Sequence, residues 1–333
     1  MGTRVTASNS IRTYRKAHEE YLAEQPPCTH SIQHAMHAIT LKNIEKKYAT
    51  GTHALKGISF NLEAGSMTAL LGANGAGKTT LIGILTGLVR KTSGQITVSG
   101  VDLDAEPERA RAFIGVVPQE FNFSIFEKVE DILIDQAGYY GVTRSIAKER
   151  TENLLKELGL WEKRHAYSRT LSGGMKRRLM IARALVHEPR ILLLDEPSAG
   201  VDVELRRGMW EFIRKIHAQG TTILLTTHYL EEAEELCEHV VMMRQGEVVR
   251  NAPVQELLKE LTAQSFVFTT NQPLKEGGPY RLKQKNATTW EASLSAGTSV
   301  TKMIQDLSEQ HVMINDIRPK ANRLEEVFIE AAM

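Results

Sequence analysis

One run, Gly72-Ala73-Asn74-Gly75-Ala76-Gly77-Lys78-Thr79, constrains this chain more than any other feature. It fits G-x-x-x-x-G-K-[ST], the Walker A or P-loop pattern, in which glycines let successive backbone N–H groups curl around phosphate oxygens at the positive end of the following helix. In such a loop Lys78 reaches the β- and γ-phosphates, Thr79 offers a hydroxyl to Mg²⁺, and Thr80 extends the binding run. The flanks agree with this reading. Met67 to Leu71 has the apolar run of a buried strand, and Lys78 to Leu88 reads as a helix closed by Gly87 and the polar turn after it. The expected fold class is therefore α/β, built around a P-loop NTPase core.

Length and composition set the organisation. The 333 residues suit one large domain with a small partner, and 42% apolar against 24% charged residues allow a substantial core. Residues 1–35 are polar, contain Pro26-Pro27 and lack the apolar stretch of a secretory signal; they read as a flexible extension, with Met36 as an alternative translation start. Met1 to Thr6 matches a myristoylation pattern too short to outweigh chance. From 36 to 262 strand, turn and helix repeat, starting with the alternating Ala38 to Ile44 and including the unbroken strands Ile191 to Leu194 and Thr221 to Thr226. From 263 to 333 a small α+β unit is expected. Its strands are Ser265 to Thr270, Tyr280 to Gln284, Thr288 to Leu294 and Met313 to Ile317, with helices at Val300 to Gln310 and from Leu324 onward.

The same arithmetic excludes several functions. Lys+Arg 41 against Asp+Glu 40 leaves a net charge of +1, so no nucleic-acid partner is expected. No apolar run approaches the roughly 18 to 20 residues needed to cross a bilayer, so any pore belongs to another polypeptide. Cys28 and Cys237 lack disulfide or zinc spacing and fit a reducing cytosol.

Further residues extend the phosphate chemistry. Asp195 ends the apolar strand Ile191 to Leu194, where its carboxylate can serve a metal; Glu196, next in the chain, can polarise water. Leu171-Ser172-Gly173-Gly174 reads alone as an ordinary helix start with Ser172 as N-cap. Placed between a P-loop and an Asp-Glu strand end, it resembles the signature motif of the ABC (ATP-binding cassette) ATPases. The resemblance implies a RecA-like core with an antiparallel β subdomain and a helical subdomain at about 120–185. It assigns Tyr48 to stacking on adenine, Gln119 to the Q-loop and the metal, Ser198 to Asp202 to the D-loop, and His228 to the switch histidine. Glu196, His228 and Gln119 become the catalytic set, Asp202 joins the nucleotide contacts, and Thr79, Gln119 and Asp195 become the Mg²⁺ ligands.

The resemblance also implies partners: a homodimer in which the signature motif of one copy covers ATP on the P-loop of the other, and a separate six-helix permease. Met175, Gly200, Pro118 to Asn122, Thr226 to Glu234 and Asn322 to Phe328 are similar to drug-resistance-type bacterial exporter ATPases of the YadG-like kind. That places the chain at the cytoplasmic face of the plasma membrane, held there by the permease. Met175 stands where many relatives carry Gln. Glu120 to Tyr140 resembles the segment that receives the permease, and about half of Phe121, Phe123, Phe126, Tyr139 and Tyr140 are expected to be internal packing.

An alternative is a soluble ABC ATPase acting on nucleic acid or ribosomes. Repair relatives insert a heptad coiled coil between the P-loop and signature motifs, whereas about ninety residues without heptads separate them here; translation relatives carry two cassettes, whereas the motif occurs once. A generic P-loop kinase or GTPase leaves Leu171 to Gly174 unexplained.

Overall fold

A computed structural model describes residues 37–198, 203–260, 263–295 and 298–319. The predicted extension 1–35, Met36, Gly200, Asp202, Asn322 to Phe328 and the helix expected from Leu324 lie outside them. The chain forms two compact units. One contains residues up to His228 together with Leu236–Asn251; the other contains Tyr229–Glu235 together with the residues from Ala252 onward.

The first sheet is antiparallel and joins β1 (His37–Lys47), β2 (His53–Glu63), β4 (Ser93–Val98) and β5 (Val101–Asp102) in the order β2-β1-β4-β5. The second joins β3 (Met67–Leu71), β6 (Ile114–Val117), β7 (Ile191–Asp195), β8 (Thr222–Thr227), β9 (His239–Arg244) and β10 (Glu247–Pro253) in the order β10-β9-β3-β8-β7-β6. The pairings β9 with β3, β3 with β8, β8 with β7 and β7 with β6 are parallel. Every residue of β3, β7 and β8 is buried, which is why these strands read as unbroken apolar runs instead of alternating ones. β9 and β10 are joined by Gln245-Gly246, both at positive φ, as a two-residue primed turn requires.

Helix α1 (Lys78–Thr86) follows β3 and packs Leu81 and Leu85 into a core shared with Ile39 and Leu41 of β1, Leu62 of β2 and Leu193 of β7. It ends earlier than predicted. Gly87 adopts φ 82° and its N–H bonds the Ile84 carbonyl, so Leu88 falls outside the helix and stands 87% exposed. A short α2 (Pro107–Ala112) leads into β6. Helices α3 (Val129–Tyr139), α4 (Arg144–Glu157) and α5 (Gly173–Leu185) surround their own apolar cluster, centred on the fully buried Leu133, Leu155 and Leu179. Truncating one of these leucines to Ala costs about 2–5 kcal/mol. Helix α6 (Val203–Ala218) precedes β8. Helices α7 (Leu230–Leu236) and α8 (Val254–Glu260) follow β8 and β10.

The last sheet is antiparallel, in the order β12-β13-β11-β14, from β11 (Ala263–Thr270), β12 (Lys283–Gln284), β13 (Thr289–Ser295) and β14 (Ile314–Pro319). Phe268 and Trp290 fill its core, against which α9 (Val300–Glu309) packs Met303 and Leu307. The strand expected at Tyr280 to Gln284 is shorter. Gly277 and Leu282 pair across a tight turn, Tyr280 is buried, and only Lys283–Gln284 joins the sheet. Among the described residues no helix is long and apolar enough to cross a membrane.

Candidate functional site

The P-loop is shaped by what stands behind it. A side chain at Gly77 would meet Leu55 and the Ala54 carbonyl, and Gly77 itself takes φ 108° to start α1. The Gly246 N–H of the β9–β10 turn donates to the Ala76 carbonyl at 3.1 Å, tying the loop to that hairpin. Lys78 is buried, and its ammonium folds back to donate to the loop's own carbonyls, Gly72 at 2.6 Å and Ala73 at 3.4 Å. Burial pushes the Lys78 pKa below its ordinary value, while the nearby Glu196 and Asp195 carboxylates oppose that shift. Thr79 is exposed at the first turn of α1. Thr80 lies beside it, its Oγ1 3.4 Å from the hydroxyl of Tyr48, which is 37% exposed under the Lys46 ammonium.

The carboxylates sit where the parallel sheet ends. Asp195 is the last residue of β7 and is buried, with Thr226 of β8 donating to its Oδ1. Burial raises its pKa, partly offset by the Thr226 bond. Glu196 then turns sharply at φ 47°, a conformation costly for a non-glycine residue. Two bonds hold it there, its N–H donating to the Thr226 carbonyl at 3.0 Å and to Thr226 Oγ1 at 3.1 Å. The turn carries its carboxylate away from the strand. Gln119 Nε2 donates to one oxygen at 3.1 Å, and His228 Nδ1 lies 3.2 Å from the other.

Three residues predicted from positions far apart in the chain, Gln119, Glu196 and His228, thus meet on one carboxylate. Leu171 to Gly174 is not brought into that cluster. Ser172 is the N-cap of α5, its Oγ accepting the Met175 N–H at 3.3 Å, and it presents the start of this helix to solvent together with the exposed Gly173. Met175 packs partly buried against the apolar cluster of α3 to α5. Of the five aromatics, Phe123 packs on that cluster and Tyr140 stacks on His187 with ring centroids 3.6 Å apart. Phe121, Phe126 and Tyr139 are exposed, alongside Ile125 and Tyr167.

Oxygen donors at Asp195, Thr79 and Gln119 fit a hard cation such as Mg²⁺. Among the described residues no group of three or more His, Cys, Asp or Glu gathers as a free-standing metal site. One carboxylate with two neutral oxygen donors suits an ion that takes the rest of its shell from water or phosphate oxygens.

Thr226, Arg177 and Arg183 also build the site, although no sequence pattern gives any of them a role of its own. Arg177 is buried, and its guanidinium donates to the carbonyls of Pro118 at 3.0 Å and Gln119 at 3.1 Å. Burial lowers its pKa, opposed by Asp195. Arg183 donates to the Asn122 carbonyl at 3.1 Å and to its side-chain oxygen. No local pattern marks these arginines, because their acceptors are backbone oxygens about sixty residues earlier.

A family model described as ABC transporter matches residues 55–199. The linearmycin resistance ATP-binding protein LnrL of Bacillus subtilis (strain 168) is 33% identical over 299 residues, covering 86% of this chain and 96% of that protein. This chain belongs to the ABC transporter ATP-binding proteins. Another such ATP-binding protein, the Nod factor export ATP-binding protein I of Burkholderia orbicola (strain AU 1054), is 40% identical over 216 residues, 65% of this chain and 71% of its own length. Among solved structures, an ATP-binding subunit of an ABC transporter superposes with TM-score 0.62 at 29% identity, covering 67% of this chain and 92% of that one. A dimeric ATP-binding cassette in a post-hydrolysis state, bound to ADP and Pi, gives 0.60 at 26%, covering 65% and 98%. The expected fold class holds: this is the P-loop NTPase fold of the ABC ATPases, and ATP is its substrate.

Proposed function

We propose that this ABC ATPase powers an exporter: two copies pair head to tail around two ATP molecules and drive a separate membrane permease at the cytoplasmic face. The observation that carries the reading is the arrangement around Glu196. Its carboxylate is bonded by Gln119 and His228 close enough to Lys78 to perturb it, while the capped start of α5 is exposed to solvent. A helix N-terminus so presented is open to a phosphate carried by another molecule. The resistance and export named for the two relatives, and the dimer named for the solved cassette, support the same reading.

Each residue then has a task. Tyr48 stacks on adenine. The loop from Gly72 to Gly77 wraps the phosphates with its N–H groups, and Lys78 exchanges the Gly72 and Ala73 carbonyls for phosphate oxygens. Thr79, Asp195 and Gln119 would hold Mg²⁺, which when bound would neutralise charge on the phosphates. Glu196 orients and polarises the attacking water, and His228 keeps the Glu196 carboxylate aimed. Leu171 to Gly174 covers ATP on the other copy, and Asp202 completes the nucleotide contacts. Loss of the γ-phosphate removes the contacts that hold the copies together, so the pair opens. The exposed Phe121, Ile125, Phe126 and Tyr139 receive a cytoplasmic segment of the permease, whose six-helix form is part of this proposal.

Glu196→Gln tests the reading. The variant is expected to bind ATP, hydrolyse it poorly and accumulate as a dimer by light scattering; near-normal turnover, or a monomer under saturating ATP, refutes it.

A further inference from the structure

The side chain of Gln119 and its backbone belong to two different bonding systems. The amide reaches Glu196, whereas the peptide carbonyls on either side of its N–H, those of Pro118 and Gln119, are gripped by Arg177 from the second turn of α5. The grip is a fork, with two N–H groups of one rigid guanidinium on consecutive carbonyls, so it fixes orientation as well as position. Arg177 is only 6% exposed, and the Phe121 ring lies 5.5 Å from its guanidinium carbon. Water therefore cannot readily replace these bonds if they break. Arg183 grips Asn122 from the same helix, so both ends of the segment 118–122 are fastened to α5. A shift of α5 along or about its axis must carry Gln119 with it.

We propose that Arg177 is a positioning residue that ties Gln119, and through it the Glu196 carboxylate, to the helix whose N-terminus caps the ATP of the opposite copy. The proposal rests on the head-to-tail pairing above and adds the physical link between the two sites. When a γ-phosphate seats against Ser172 and the start of α5, the helix settles, and the Arg177 fork sets the height of Gln119 above Glu196 in the same chain. Misplacing a catalytic group by about 1 Å costs on the order of 100-fold in rate. A link of this stiffness is therefore sufficient to make hydrolysis at one site depend on occupancy at the other.

The experiment compares three variants of the full-length chain, with rates normalised to folded protein. Arg177→Gln is expected to lower kcat by about tenfold or more while ATP affinity stays within about twofold, because the P-loop contacts are untouched. Arg177→Lys should recover part of kcat, since an ammonium can serve one carbonyl but cannot fork across two. Arg178→Gln is the folding control: its guanidinium donates to the Leu158 carbonyl at 2.8 Å from the same helix, so this change should lower Tm without a comparable fall in kcat. The proposal is overturned if Arg177→Gln turns over within about twofold of wild type, if Arg178→Gln is slowed as much, or if Lys does no better than Gln. Light scattering separates the two levels of the argument. A Glu196→Gln parent that stays monomeric in ATP refutes head-to-tail pairing itself. A parent that pairs while its Arg177→Gln derivative does not shows that Arg177 builds the interface, which overturns the positioning role alone.

Discussion

Three glycines of the phosphate loop separate backbone strain from crowding, and alanine at each gives a different expected loss. Gly75 takes φ 83° but has nothing within 4 Å of where a Cβ would stand. Alanine there meets only the left-handed penalty, about 1–2 kcal/mol. Gly72 lies outside the left-handed region, yet its added Cβ would stand 2.6 Å from the Met243 carbonyl oxygen and 2.8 Å from the Ala76 Cβ. Its cost is crowding, about 1–3 kcal/mol. Gly77 carries both burdens, with φ 108° and a Cβ 2.7 Å from Leu55 Cδ2 and 2.8 Å from the Ala54 carbonyl oxygen. The sum is about 2–5 kcal/mol. For a unit of this size each kcal/mol moves Tm by about 2–4 °C, so Gly75→Ala should fall by about 2–8 °C and Gly77→Ala by about 4–20 °C. Calorimetry of the nucleotide-free protein reads the series, and MgATP titration follows the same samples. If Gly75→Ala melts as low as Gly77→Ala, or if Gly72→Ala is silent, the wall behind the loop is not the rigid backbone described above.

Two further outcomes follow from the site. Burial raises the Asp195 pKa, so the folded chain keeps that proton to higher pH than the unfolded chain; stability falls as pH rises from the ordinary carboxylate range through the raised value and does not return above it. Asp195→Asn should therefore melt above wild type at neutral pH, with the gap closing in acid, while MgATP hydrolysis is lost; a lower melting point at neutral pH contradicts the assignment. Tyr48→Ala should weaken ATP binding by about 5- to 150-fold if the ring stacks on adenine, from about 1–3 kcal/mol of stacking, and unchanged affinity in an equilibrium titration removes that role.

What could be read from the sequence depended on how local its cause is. β3 matches its predicted bounds to the residue, and β7 adds only Asp195, because a strand buried on both faces writes itself as an unbroken apolar run. The order of the motifs along the chain links Gln119, Glu196 and His228, and the fold brings them together on the Glu196 carboxylate. The left-handed backbone of Glu196 has no local signal, since the residue that holds it, Thr226, lies 30 residues later in the chain and comes beside it only when β8 pairs with β7. The same holds for Arg177, whose partners are carbonyl oxygens that every residue possesses, and for Arg183, which bonds the backbone and side-chain oxygens of Asn122. Met175 stands where many relatives carry Gln, and in the fold it packs partly buried against the cluster of α3 to α5. The early end of α1 has a local cause, but Gly87 could be read either inside the last turn or as its terminus, and only its φ decides.

The Ala54 carbonyl is flanked by two glycines. A Cβ on Gly77 would stand 2.8 Å from its oxygen and one on Gly246 2.6 Å, so three strands of backbone cross there with no methyl's width to spare. Such a crossing transmits displacement instead of absorbing it. A phosphate that holds the loop still also steadies the Gly246 amide bonded to Ala76 and the Lys56 amide bonded to Gly246. Slowed hydrogen exchange at Lys56 and Gly246 should thus report a filled loop from residues that never touch nucleotide.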